Sequence, residues 1–238
     1  MRALIVIGII VPALLLAGVA CTTQQGSGTT TTESRDVRGF NQVHFEGFGT
    51  VIINQGDRES LEIEAEDNIV PQIRTKVENQ TLKIDFRTNT MHPTKPIIFR
   101  LTVKDLKALD FSGAANVQAS NLNAKNLELT FSGAGSGKLD GLRVDDLKTT
   151  ITGAGKVTAS GTTTTQEAHI NGAGEYLAGD LQSKNATVDV NGAGKAAVRV
   201  SDDLNVQISG AGSVDYYGNP RVTQNVSGAG SVNKLGGS

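Results

Sequence analysis

INGAG at 170–174 and VNGAG at 190–194 are two copies of one five-residue phrase. FSGAG at 131–135, ITGAG at 151–155, ISGAG at 208–212 and VSGAG at 226–230 are four more, and FSGAA at 111–115 is a variant. Their first glycines stand at 113, 133, 153, 172, 192, 210 and 228, so the spacings are 20, 20, 19, 20, 18 and 18 residues. A nearly constant period of this length marks a solenoid. FEGFGTV at 45–51 matches FSGAANV at 111–117 in its Phe, first Gly and Val. That earlier copy brings the expected number of turns to at least eight.

The pattern inside each repeat decides which solenoid it is. Two residues before the first Gly stand Phe111, Phe131, Ile151, Ile170, Val190, Ile208 and Val226, and four after it stand mostly Val or other apolar residues. Apolar positions two apart, with polar residues between, are the signature of a strand with one buried face. Leucine-rich repeats would need a Leu-x-x-Leu-x-Leu frame, and helical repeats a 3.6-residue pattern; neither is present. The sequence therefore predicts an all-β, right-handed parallel β-helix with coils of 18–20 residues. With rungs ~4.8 Å apart, eight turns would make a rod of about 40 Å.

The Gly-Ala-Gly phrase has two physical readings, which the sequence leaves open. Both glycines fall in the inward phase, so either they thin the wall or they let the backbone turn a corner at positive φ. The Ala between them is expected to face outward as a stripe of methyl groups. The series Ser112, Ser132, Thr152, Asn171, Asn191, Ser209 and Ser227 is expected to face outward too, bonding local backbone or stacked neighbours.

The chain divides by composition. MRALIVIGIIVPALLLAGVA at 1–20 has one charge, Arg2, then an apolar run ending in small residues, as a secretory signal does. Cys21, the only cysteine, follows it directly. This resembles a bacterial lipoprotein signal in which Cys21 becomes the acylated (for example palmitate-bearing) N-terminus, although Gly18 stands where Leu is commonest. Ordinary cleavage after Gly18-Val19-Ala20 and an uncleaved anchor are the alternatives. Residues 21–35, including TTQQGSGTTTTES, are polar and low in complexity, and are expected to form a flexible tether. Thr22 after the cysteine, in place of Asp, suggests the outer membrane by resemblance to Gram-negative sorting rules. Residues 36–238 then form a single solenoid domain: 36–107 as irregular, hairpin-bearing starting coils and 108–238 as the repeating coils. SLEIEAE (60–66), QIRTKV (72–77), QTLKIDF (80–86) and PIIFRLTV (96–103) are the strands of that start, with Glu78-Asn79-Gln80 among its turns.

Composition excludes several functions. The net charge is −2, and −3 once the first twenty residues and their Arg2 are removed, so there is no basic field for nucleic acid. One Cys cannot build a disulfide framework or a cysteine zinc site. The Gly-x-Gly motifs lack the Lys-Ser/Thr of a phosphate loop, so no nucleotide is expected. The aspartates at 140, 145, 146, 202 and 203 do not follow the calcium-binding β-roll repeat, so neither metal nor cofactor is expected. The outward ladder three residues before each first Gly places His169 beside Asp189, with Glu167 on the same face. This trio is the one weak surface-site candidate, able in principle to act as acid/base or to hold a cation. Glu128, Lys148 and Glu167, and Lys156, Glu175 and Lys195, are expected to form alternating charge ladders. Tyr176, Tyr216 and Tyr217 are too few for an aromatic carbohydrate platform, although Tyr216-Tyr217 could contribute to one.

The span from RGFNQVHFEGFGTVIINQGDRESLEIEAEDNIVPQIRTKVENQTLKI through PIIFRLTVKDLKALDFSGAANV into the repeating S-G-A-G array resembles the auto-transporter adhesin, head GIN domain family over about 36–235. That resemblance implies a secreted or lipoprotein-like bacterial β-solenoid with an adhesive role and no catalytic residues. The expected function is a non-enzymatic envelope lipoprotein, anchored in the membrane through Cys21 and offering its surface to an envelope protein or glycan. The competing readings are a polysaccharide-active β-helix enzyme, which would have to use Glu167, His169 and Asp189, and an envelope-stress or assembly accessory protein.

Overall fold

In the computed structural model, which describes residues 24–88 and 90–236, strands account for 76% of the chain. A single-turn 3-10 helix, Val70–Gln72, is the one helical element among the described residues. No helix there is long and apolar enough to cross a membrane. Cys21 and the segment before it lie outside the described residues.

The repeating coils are carried by β9 (Ala108–Ser120), β10 (Asn123–Gly133), β11 (Ser136–Gly153), β12 (Lys156–Gly172), β13 (Glu175–Gly192), β14 (Lys195–Gly210), β15 (Ser213–Tyr217), β16 (Arg221–Gly228) and β17 (Ser231–Gly236). Each pairs in parallel with its counterpart one coil away, so the coils form a β-solenoid of about six turns. Eight motif glycines do stack, from Gly47 through Gly113 to Gly228. Gly47 and Gly113 are neighbours in space, but Gly47 lies on a strand of the starting region, with the rest of that region between the two in sequence, so only the six intervals after Gly113 are turns. The expectation of eight turns is corrected accordingly.

The core is a set of axial ladders. Phe45, Phe111, Phe131, Ile151, Ile170, Val190 and Ile208 stand one above another, each no more than 2% exposed. Phe111 and Phe131 stack with centroids 5.4 Å apart. Volumes compensate along the ladders: a Cβ at Gly137 would come within 2.5 Å of Phe131, so the ring fills the space left by the missing side chain. One buried polar chain interrupts the apolar interior. The Tyr176 hydroxyl donates to Gln166 Oε1 (3.1 Å), Gln166 Nε2 donates to Ser183 Oγ (2.7 Å), and Ser183 Oγ donates to the Arg199 carbonyl (2.8 Å). Gln166 occupies a ladder position that is Leu in the two preceding coils, so its amide needs these partners.

The Gly-Ala-Gly phrase uses both readings, one for each glycine. The first glycine lies exposed at a corner rather than in the inward phase, with φ between 104° and 125° from Gly133 to Gly228. A Cβ at Gly172 would also sit 2.7 Å from the carbonyl oxygen of Gly153 in the coil before. The second glycine is the one that thins the wall: a Cβ at Gly174 would meet Ile151 Cγ2 at 2.5 Å. The intervening alanines are exposed, and their amides donate to the preceding coil, as Ala173 N does to Gly153 O (2.9 Å).

A second corner is less regular, and all changes in coil length occur there. The ladder shifts register between Leu139 and Leu142, between Thr158 and Ser160, and between Ala178 and Asn185, while the Gly-Ala-Gly corner stays in register throughout. Gly161 (φ 125°) and Gly218 (φ 100°) turn this corner, each against a carbonyl of the coil before.

The starting region is a cap of mixed strands: β1 (Gln24–Gln25), β2 (Thr30–Arg35), β3 (Gln42–Gln55), β4 (Ser60–Glu66), β5 (Ile73–Glu78), β6 (Thr81–Phe86), β7 (Met91–His92) and β8 (Ile98–Val103). The β5–β6 hairpin turns at Asn79 (φ 49°) and Gln80 (φ 62°), the doubly left-handed turn that matches strand twist. Residues 30–35 are not the flexible tether their composition suggests. They form β2, antiparallel to β4, because Thr is a good strand former and the open edge of β4 offers unpaired backbone groups. Glu66 fastens the chain just before β2: its carboxylate accepts from Gly28 N (2.7 Å), Thr94 N (2.9 Å) and Thr94 Oγ1 (2.6 Å). A side chain at Gly26 would collide with that carboxylate.

Candidate functional site

Strand alternation and parallel register together bring Glu167, His169 and Asp189 into one cluster. Glu167 and His169, two apart on β12, share a face, and His169 pairs with Asp189 on β13. His169 Nε2 lies 2.6 Å from Glu167 Oε1 and Nδ1 lies 3.0 Å from Asp189 Oδ2. A carboxylate stands beside each ring nitrogen, so both nitrogens face partners supplied by the chain itself. The cluster is therefore a cross-rung clamp on a partly exposed surface. Such pairs are worth about 0–1 kcal/mol each. Among the described residues no group of three or more His, Cys, Asp or Glu is arranged to hold a metal.

The same ladder holds a second pair that sequence reasoning overlooked. His44 on β3 faces Asp110 on β9, with Nδ1 2.8 Å from Oδ2. The signal was present: matching Phe45 to Phe111 sets the preceding residues, His44 and Asp110, side by side. Of the anticipated charge ladders, Lys156 and Glu175 pair at 3.0 Å, but Lys195 turns to Asp215 (3.7 Å) instead of Glu175. Glu128, Lys148 and Glu167 are stacked in register without forming an ion pair. Tyr176 is fully buried and belongs to the core, so it cannot serve a surface platform.

A broad concavity lies along the second corner. Two depressions of about 620 and 510 Å³ share Thr162 and Thr163. Through them runs an outward ladder in which Asn123, Arg143, Thr162, Gln182, Arg199 and Tyr217 stand on successive rungs. Arg199 is held in place: its Nε donates to the Gly179 carbonyl (2.8 Å) and its guanidinium lies 4.9 Å from the centre of the Tyr217 ring. Tyr217 thus stands beside the groove as a support for Arg199 rather than as a bare platform.

A regular parallel solenoid in which His44 and His169 lie against carboxylates of neighbouring rungs belongs to the class of repeat proteins that present extended faces. The chain belongs to the family described as "Putative auto-transporter adhesin, head GIN domain", which matches residues 39–220. Its fold is shared by a crystal structure titled a putative adhesin from Bacteroides fragilis, at 24% identity and a TM-score of 0.85, covering 89% of this chain and 99% of that one. A structure from Parabacteroides distasonis titled a putative lipid binding protein has 23% identity and a TM-score of 0.71, covering 89% and 98%. A putative adhesin from Parabacteroides merdae has 23% identity and a TM-score of 0.68, with the same coverage. No curated protein matches the sequence.

Proposed function

We propose that this protein is a non-enzymatic adhesion module of the cell envelope, held at a membrane by lipid on Cys21. The observation that carries the adhesive reading is membership of a family named for adhesins, joined to a surface whose one candidate acid/base group, His169, is occupied on both nitrogens by carboxylates. The apolar run ending in small residues before Cys21 supports the anchor, and Thr22 in place of Asp after it supports the outer membrane as its place.

Two measurements test this reading. Cys21→Ser is expected to move the protein from the membrane to the soluble fraction; retention with the membranes would overturn lipid anchoring. Incubated with acidic and neutral polysaccharides, the purified protein is expected to leave their chain length unchanged. Depolymerisation that is abolished by His169→Ala would establish the enzyme reading instead.

A further inference from the structure

The cations of the repeating coils fall into two groups. Lys138, Lys156, Lys195 and Arg221 are each paired with a carboxylate. Lys125, Arg143, Lys184 and Arg199 have no carboxylate partner, and all four line the groove along the second corner. Lys148 and Lys234 are also without one and lie outside it. Asp145 is the single carboxylate among the groove's lining residues. Within the repeating coils, four of the six cations without a carboxylate partner thus line one trough.

The floor of that trough is fixed from below. Ser183 and Gln166 tie it to the buried polar chain, and the Thr163 hydroxyl lies 3.0 Å from the Asp145 carbonyl and 2.9 Å from that of Thr165. Between Arg143 and Arg199, two rungs present Thr162 and Gln182, a hydroxyl and an amide able to donate and to accept. Rungs repeat every ~4.8 Å, close to the rise of one sugar ring in an extended glycan. The two arginines are therefore about 14 Å apart along the axis, three rung spacings. The backbone groups beneath are committed to parallel ladders, so the trough has no open edge for an added peptide strand.

We propose that this groove binds a linear, carboxylate-bearing glycan laid along the solenoid axis, one ring per rung, with Arg143 and Arg199 on carboxylates and Thr162 and Gln182 on hydroxyls. The proposal rests on the adhesion reading and gives it a ligand class. Arg143 and Lys184 are exposed and make no ion pair, so reversing them leaves the fold intact.

The test measures binding of the purified full-length protein to polygalacturonate and to its fully methyl-esterified form, in which each carboxylate is replaced by a neutral methyl ester. Polygalacturonate should bind, and the ester should bind at least about tenfold more weakly, a difference of ~1.4 kcal/mol. Arg143→Glu and Lys184→Glu should each weaken binding to polygalacturonate by about tenfold or more with unchanged circular dichroism, whereas Lys148→Glu should change it less than about twofold. Equal affinity for the ester, no loss in the groove variants, or an equal loss in Lys148→Glu would overturn the proposal. So would binding to phosphatidylglycerol vesicles without binding to the glycan. Adherence to isolated envelopes separates the two claims: groove variants that adhere like the parent would remove the glycan groove and leave the adhesion module standing. A parent protein that adheres to nothing would remove both.

Discussion

At Gly172 and Gly174 the same side chain is missing for two different reasons, and substitution separates them. Gly172→Ala forces a Cβ onto a residue at φ 123° and against the Gly153 carbonyl, neither of which can move without disturbing the stack. Gly174→Ala meets the Cγ2 methyl of Ile151 first, at 2.5 Å, with the Gly155 carbonyl oxygen farther off at 3.0 Å. Both should lower stability by about 1–3 kcal/mol in chemical denaturation. Only the second should show strong coupling to Ile151→Ala in a double-mutant cycle, because only there does the partner side chain make room. Tyr176 offers a further test. Burial holds its phenol well above the ordinary range, so the folded state resists its ionisation. That contribution is complete below the unfolded value of ~10 and is lost as pH rises beyond it. Phenolate absorbance from Tyr176 should therefore appear together with alkaline unfolding and not before it. Tyr176→Phe should cost about 1–3 kcal/mol, since Gln166 Oε1 loses its donor.

Among the elements, the first residues of the cap are tied down through Glu66, whose carboxylate joins Gly28 to Thr94. The Thr94 hydroxyl, then the amides of Gly28, Thr94 and Lys95, hold this carboxyl below its ordinary value of 4.5. Its contribution is therefore complete above the ordinary carboxyl range and disappears as pH falls through the lowered value. Hydrogen exchange should show Gly28 and Thr94 amides opening earlier than core amides on acidification, and opening at neutral pH in Glu66→Gln. Here the sequence was only partly legible. Strands such as SLEIEAE announce themselves by alternation, and β4 begins and ends where that pattern does. TTTESR has no such alternation because β2 is exposed on nearly its whole length, and a strand with no buried face writes no pattern. Its existence depends on the free edge of β4, which is a tertiary fact.

For the molecule as a whole, the stacking period was legible because each coil repeats the same corner. Gly113 to Gly228 could be aligned by eye, and the alignment placed Glu167, His169 and Asp189 together. The groove was not legible in the same way. Arg143, Gln182 and Arg199 share a ladder only after the register shifts around Gly161 and Gly179 are taken into account, and fixed spacing in sequence cannot supply these. The drift from 20 to 18 residues was the visible trace of those shifts, although it did not say at which corner the residues were lost. Two residues inserted between Asp180 and Leu181 should shift the melting midpoint by no more than about 4 °C. The same two inserted between Ala173 and Gly174 should abolish cooperative melting of the coils around them.

That asymmetry makes the molecule resemble a key. The Gly-Ala-Gly corner is its blank spine, the same in every coil because backbone touches backbone there. The opposite corner is the cut edge, where a coil can gain or lose a residue, or trade Arg for Thr, while the spine still fits the same stack. Relatives at about 24% identity can thus keep one shank and carry different teeth, and a change of ligand needs no new fold, only a recut of one side.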